Sequence, residues 1–323
     1  MKVYITEHES FLINENKMNT KFIHVGCHKC GSTFLQREVF PKLKNIKTLT
    51  FVEENPLSEE INYLTQCGEL YYKHSYVEKN IHEKLKDFDD ICLSSEGFSG
   101  TNNFILGTGH QIKYIASRLK RIFGKTKILI IIRNQKKSLP SLYKDDIKYG
   151  YLLDFKQWIQ YRYDSCSLNY FKYSYLIECY QKYFGIDNVK VVLFESLFNK
   201  QTFDQLSRDL NINPSFIESI NLKRKFNESY TWPSLIVAKL LNRHFGSKLT
   251  HGVTFGKSNS LRIYNWWRYN YSRKIDRLSK IVGINDPNYD FENYNNILYE
   301  LYHDDNKRVS KLLNVNLLDY NYV

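Results

Sequence analysis

Between Phe22 and Phe34 the chain reads Phe-Ile-His-Val-Gly-Cys-His-Lys-Cys-Gly-Ser-Thr-Phe, and these residue types suit the holding of an anion. A short apolar run (Phe22, Ile23, Val25) ends at Gly26, and helical spacing (Leu35, Val39, Phe40) follows Thr33. A strand, a glycine loop and a helix N-terminus, in that order, present backbone N–H groups and the positive end of the helix dipole to a negative group. The same stretch carries a second possibility. Cys27-His28-Lys29-Cys30 has C-x-x-C spacing at a helix start, where a thiolate is stabilised, so a redox site is a rival reading. A zinc site needs a second ligand pair, and Cys67, Cys92, Cys166 and Cys179 are isolated.

The spacing of Gly26, Gly31 and Ser32 is close to that of a nucleotide-binding P-loop. The lysine differs: it stands at Lys29, inside the loop, and not between Gly31 and Ser32. That placement favours a phosphate ester over a magnesium-bound triphosphate. A P-loop kinase or NTPase, the nearer enzymatic alternative, wants a lysine where Ser32 stands and an acidic magnesium ligand after a strand.

The elements that position these residues follow from the apolar pattern. Thr48–Val52 reads as a second strand ending at Glu53 and Glu54, and Ile91–Leu93 as a third, ending in Ser94-Ser95-Glu96-Gly97. Ile112, Ile115, Leu119 and Ile122 mark a helix, with Arg118, Lys120 and Arg121 assigned to its solvent side. Lys127–Ile132 is the strongest strand signal, an unbroken β-branched run suited to a strand buried on both faces of a parallel sheet. Arg133 ends it, and a helix should begin near Lys136. Residues 155–184 read as helices rich in Tyr and Trp, Val189–Phe194 as a further strand, and a helix runs to about Leu210. Alternating strands and helices predict a three-layer α/β/α fold with a central, mainly parallel sheet, P-loop NTPase-like, plus a helical C-terminal extension. The expected organisation is an arm over residues 1–21, a core over 22–213, and a helical part over 214–323 packed on the same domain. Ligands in such folds sit at the carboxyl ends of strands, and Lys29, Glu96 and Arg133 each lie just past one.

Two stretches together resemble the sulfotransferases that use 3′-phosphoadenosine 5′-phosphosulfate (PAPS) as donor. Gly26-Cys27-His28-Lys29-Cys30-Gly31-Ser32-Thr33 is similar to that family's 5′-phosphosulfate loop. Ile130-Ile-Ile-Arg133-Asn-Gln-Lys-Lys-Ser138-Leu-Pro-Ser141-Leu-Tyr143 looks like its 3′-phosphate element, a buried strand ending in arginine with a serine eight positions later. Phe194-Glu195-Ser-Leu197 resembles the family's "E-x-L" segment. Asp305-Asn306-Lys-Arg-Val and the closing Leu317–Tyr322 resemble the tail of bacterial members that sulfate carbohydrates. The likeness covers about residues 20–213, with a fainter trace to the end.

The resemblance implies PAPS as donor and PAP as product, with no metal required, and a small-molecule or glycan acceptor. It implies that the loop Cys27–Thr33 receives the 5′-phosphosulfate, with Lys29 beside the bridging oxygen, and that Arg133 and Ser141 take the 3′-phosphate. Lys223, Arg224 and Lys225 fall where the family closes a basic loop over that phosphate; a solvated charged turn is the alternative. For the general base, Glu96 is the first choice, with Glu53, Glu54 and His28 as rivals. Trp232, Trp266, Trp267 and Tyr269, with Asn227-Glu228-Ser229, could line an acceptor groove or simply be core.

Composition agrees with an anionic ligand. The 323 residues carry 46 Lys+Arg against 34 Asp+Glu, a formal charge of +12, and 42% are hydrophobic, enough to bury a full core. No run of five basic residues occurs and no nucleic-acid motif is present, so a basic nucleic-acid binder is a weaker reading. No N-terminal signal and no stretch of roughly 18 apolar residues is visible. Six cysteines, mostly among apolar neighbours, suit a reducing compartment, and the expectation is a soluble cytoplasmic protein.

Overall fold

The computed structural model describes residues 20–50, 55–100, 109, 111–224, 226, 230–244, 266, 271–283 and 294–323. Residues 1–19 of the expected arm, the candidates Glu53, Glu54 and Lys225, Asn227–Ser229, and Trp267 and Tyr269 lie outside the described residues.

Five strands form one sheet: β1 (Thr20–Gly26), β2 (Lys47–Leu49), β3 (Ile91–Ser95), β4 (Lys127–Ile132) and β5 (Val189–Leu193). Their order is β2-β3-β1-β4-β5 and every pairing is parallel. Successive residues of a strand face opposite sides of the sheet. Ile128, Leu129, Ile130, Ile131 and Ile132 are nevertheless all buried, so helices cover both faces and the architecture is α/β/α. The β-branched run in β4 suits that doubly covered place.

Eleven helices are described besides short 3-10 turns: α1 (Ser32–Phe34), α2 (Ser58–Gln66), α3 (His74–Leu85), α4 (Ile112–Phe123), α5 (Gln135–Tyr149), α6 (Phe155–Asp164), α7 (Tyr173–Phe184), α8 (Lys200–Leu210), α9 (Trp232–His244), α10 (Ser272–Ile281) and α11 (Asn295–Leu313). α7 packs on α4 and on β4 and β5, α11 packs on α7, and α9 packs on α5. The C-terminal helices therefore rest directly on the sheet-bearing core.

Four local expectations are corrected. The second strand begins at Lys47 and ends at Leu49, with Phe51 and Val52 of the expected Thr48–Val52 outside the described residues, and the third runs two residues further, to Ser95. After the loop, α1 gives way within one turn to a π-type turn (Leu35–Val39) and a 3-10 turn (Phe40–Lys42), where Pro41 cannot donate an α-helical hydrogen bond. The fourth correction concerns Arg118, which is buried rather than solvated. Its Nη1 donates to the carbonyls of Leu64 (2.7 Å) and Cys67 (2.9 Å), and its Nη2 donates to Glu69 (2.7 Å). The guanidinium lies 3.7 Å from the Tyr72 ring centroid. A charge can be buried when every contact is a strong acceptor or a π-face, and here it closes the C-terminal end of α2.

Sheet register positions the site. Val25 of β1 is level with Ser95 of β3, and Gly26 is level with Ile131 of β4. The loop leaving β1 therefore emerges between the residue that follows β3, Glu96, and the residue that follows β4, Arg133. The order of strands reverses direction at β1, the place where parallel α/β folds bind ligands.

Candidate functional site

The loop is shaped by two glycines and one lysine. Gly31 has φ +84° and Lys29 φ +64°, the left-handed region that costs a side-chain-bearing residue energy. A Cβ on Gly31 would meet Leu197 and Phe194 at 3.0 Å, and one on Gly26 would meet Ser32 Oγ at 2.8 Å and Glu96 Cγ at 3.1 Å. Neither position accepts a larger residue without moving the walls of the loop. Lys29, a non-glycine residue in a strained conformation, is held there by its neighbours.

Arg133 is one of these. Its Nη1 donates to the Lys29 carbonyl at 2.8 Å, a contact between residues 104 apart in sequence, and its guanidinium stacks on Phe194, 4.3 Å from the ring centroid. Tyr173 donates its hydroxyl hydrogen to the Arg133 carbonyl (2.8 Å). The Tyr170 hydroxyl accepts from the backbone N–H of His28 (3.1 Å) and shares a hydrogen bond with Ser99 (2.8 Å). The aromatic segment preceding and opening α7 thus braces both halves of the site from below.

On the other flank, His28 Nδ1 lies 3.0 Å from Glu96 Oε2. Burial would raise the Glu96 carboxyl, but His28, Lys29 and nearby Ser32 overcome it and hold the group below the usual carboxylate range. Glu96 is therefore ionised at neutral pH and the imidazole N–H donates to it. The Lys29 ammonium, by contrast, is pushed down to about 8, first by burial and then by Lys148 and Arg133, against the pull of Glu96 and Asp146. Lys29 contacts Asp145 of α5.

The loop and the elements that flank it also hold buried polar atoms without protein partners. Arg133 Nε and Ser138 Oγ are buried and unsatisfied, and the Ser32 hydroxyl approaches Glu96 without making a well-aligned hydrogen bond. A buried donor left unmatched is available to a ligand that completes it. Ser141, one turn after Ser138, is half-buried on α5. Asn134 caps α5 by accepting from Lys137 N (3.3 Å), so the helix begins directly behind Arg133.

The basic turn at 221–224 approaches from the end of the helical path that follows the loop. Glu38, 1% exposed, accepts from Asn221 N (2.8 Å) and pairs with Arg224 (3.1 Å) and Lys42. Burial opposes ionisation of Glu38, yet Lys42, the Asn221 N–H and Arg224 hold its carboxyl low. Arg224 is thus tied to Glu38, while Phe226 reaches Phe34 at 6.4 Å between centroids. Of the aromatic candidates, Trp232 opens α9 half-buried, and Trp266 is exposed and packs against Tyr271 (4.3 Å).

The C-x-x-C reading does not survive the geometry. Cys27 and Cys30 are both buried and unoxidised, and burial pushes the Cys30 thiol up, aided by Cys27. A reactive thiolate needs the opposite shift and access to solvent. Among the described residues no group of three or more His, Cys, Asp or Glu side chains is placed to hold a metal ion, and no helix is long and apolar enough to cross a membrane.

No protein-family profile and no curated protein matches the sequence. Solved structures do. The sulfotransferase from Alicyclobacillus acidocaldarius superposes with a TM-score of 0.53 over 94% of this chain and 99% of that one, at 15% identity. The chain has the sulfotransferase fold. A sulfotransferase domain from the Synechococcus PCC 7002 olefin synthase aligns over 86% of this chain and 100% of that one, at 13% identity and a TM-score of 0.36.

Within this sulfotransferase fold the sequence-derived residues Lys29, Gly31, Ser32, Arg133, Glu96 and His28 converge on the carboxyl end of β1. Residues missed in the sequence are those that reach the site through packing: Tyr170 to His28, Tyr173 to the Arg133 carbonyl and Asp145 to Lys29. Ser138, Ser141, Asp145 and Lys148 recur every three or four residues along α5, one face of a helix, and that spacing was the available signal.

Proposed function

We propose that the protein is a PAPS-dependent sulfotransferase. The observation that carries the reading is the hydrogen bond from Arg133 to the Lys29 carbonyl (2.8 Å), because it joins the two anion-binding halves into one cradle with the lysine inside the loop. The donor supplies a sulfuryl group on a phosphate that can leave. The unsatisfied Arg133 Nε and the Ser138 and Ser32 hydroxyls, with the loop that only glycine allows at Gly26 and Gly31, fit its phosphates.

In this reading the N–H groups from Gly31 to Thr33 hold the 5′-phosphate. Arg133, with Ser141, holds the 3′-phosphate by charge-assisted hydrogen bonds. An acceptor oxygen attacks sulfur, the bond from sulfur to the bridging oxygen breaks, and its electron pair stays on the departing PAP. Lys29 neutralises charge growing on that oxygen. The acceptor's proton passes to the Glu96–His28 pair. A carbohydrate hydroxyl is the favoured acceptor, consistent with the +12 charge and an acidic glycan.

The test is calorimetric. PAP should bind without magnesium, and Arg133→Ala should weaken it by about 10–200-fold, the range of charge-assisted hydrogen bonds. ATP-Mg binding with no PAP binding would replace this reading with a kinase or NTPase. Turnover of labelled PAPS across a panel of sugars, lipids and small alcohols then identifies the acceptor.

A further inference from the structure

A site built for a polyanion contains one carboxylate that no phosphate requires. Asp145 stands on α5, four residues beyond Ser141; its Oδ2 meets the Lys29 ammonium, and its Oδ1 lies 3.4 Å from Lys148 Nζ. Lys148 itself lies 4.6 Å from the Tyr230 ring centroid. Asp145 is thus clamped between two cations, with one carboxylate oxygen committed to each. A negative charge here repels an incoming phosphosulfate, so its place beside Lys29 calls for a role exerted on the lysine.

The groups around Lys29 define that role. Burial, Lys148 on α5 and Arg133 after β4 favour the neutral amine, whereas Glu96 after β3 and Asp146 on α5 favour the ammonium. Within the loop, His28 is engaged with Glu96. Asp145 is the carboxylate in direct contact with Nζ. A lysine that has lost its proton cannot neutralise a leaving oxygen.

We propose that Asp145 is a positioning residue that acts through Lys29: steadied by Lys148, it keeps the side chain extended across the loop and charged until the donor takes its place. The chemistry rests on the sulfuryl-transfer reading; the Lys29–Asp145 contact does not. Asp145 touches no reacting atom and surrenders the ammonium when the more highly charged phosphosulfate arrives.

The test reads the lysine directly. In the ligand-free chain carrying 13C-labelled lysine, the Lys29 signal (assigned with Lys29→Arg) is titrated by NMR. Asp145→Asn should weaken proton binding at Lys29 tenfold or more, moving its midpoint down by at least one pH unit, and Asp145→Glu should restore it. Lys148→Met, which removes a like charge, should move the midpoint up. In turnover assays the alkaline limb of kcat/KM for the donor, which reports the free enzyme, should move to lower pH in Asp145→Asn by the same amount. An unchanged Lys29 midpoint in a folded Asp145→Asn chain would overturn the proposal. Because the titration uses no donor, failure of PAP to bind would sink the sulfotransferase reading while leaving the Asp145 result standing.

Discussion

His28 Nδ1 lies 3.0 Å from Glu96 Oε2, so in the proposed reaction an acceptor proton has two adjacent places to go: the carboxylate or the imidazole it orients. In the proposed reaction we give Glu96 the larger part, since its carboxyl is held below the usual range and it directly follows β3, beside the loop. Glu96→Gln should lower turnover by roughly 10²–10⁴-fold while PAP affinity, measured by calorimetry, stays within a few-fold of the parent. Near-normal turnover would remove Glu96 from proton transfer and leave His28 as the base. Residue-scale legibility was uneven for a physical reason. Lys29, Gly31 and Ser32 act within one loop, so their spacing displays their function, and Arg133 ends a strand that its own β-branched run announces. Asp145 and Tyr173 act only through contacts made across the fold, to Lys29 and to the Arg133 carbonyl, and their types and local spacing say nothing of those partners.

At the scale of elements, α5 and the segments around it are held by polar contacts rather than by apolar packing alone. Asn134 N donates to Glu195 (3.1 Å), Asn134 Nδ2 to the Tyr320 carbonyl (3.1 Å), and Gln135 Nε2 to Asn306 (3.0 Å). The "E-x-L" segment and the closing residues thereby clamp the start of the helix that follows Arg133, which gives the weak resemblances at Glu195, Asn306 and Tyr322 a structural basis. A second such lock is Arg118, misassigned to solvent because helical periodicity ranks side chains by polarity and cannot see the carbonyls of Leu64 and Cys67 waiting at the end of α2. Arg118→Ala should destabilise the fold by about 2–4 kcal/mol, since it strands buried acceptors and removes the stack on Tyr72. Thermal unfolding checks this; a loss under 0.5 kcal/mol would mean that water replaces the guanidinium at no cost. Residues 56–90 resisted assignment for a related reason: α2 and α3 are short and are separated by a turn whose exposed Leu70 and Tyr71 break the amphipathic pattern.

For the molecule as a whole, acid is the vulnerable direction. His24, buried in β1 with Nδ1 2.8 Å from Ser94 Oγ, is pushed down to about 4 by burial, against the pull of Glu96. An unfolded histidine titrates near 6.5, so between pH 6.5 and 4 the unfolded chain binds the extra proton and stability falls as pH falls. The loss at His24 alone is on the order of 3 kcal/mol across that window. Below it, the depressed carboxyls of Glu38 and Glu96 add to the loss as they protonate. Urea midpoints from pH 7 to 4.5 should decline in the parent and decline less in His24→Gln; identical slopes would assign the sensitivity to other groups.

The strand order has a kinetic consequence. β1 is the hub of the sheet, and its two pairings, Phe22 with Cys92 and Phe22 with Lys127, each close a chain loop of many tens of residues. Local contacts cannot build this site in advance, because Gly26 is walled by Glu96 from one side while Arg133 reaches Lys29 from the other. Long-range closure is the slow part of folding. The cradle formed by Gly26, Lys29, Glu96 and Arg133 therefore needs both central pairings of β1, with β3 and with β4, to be in place.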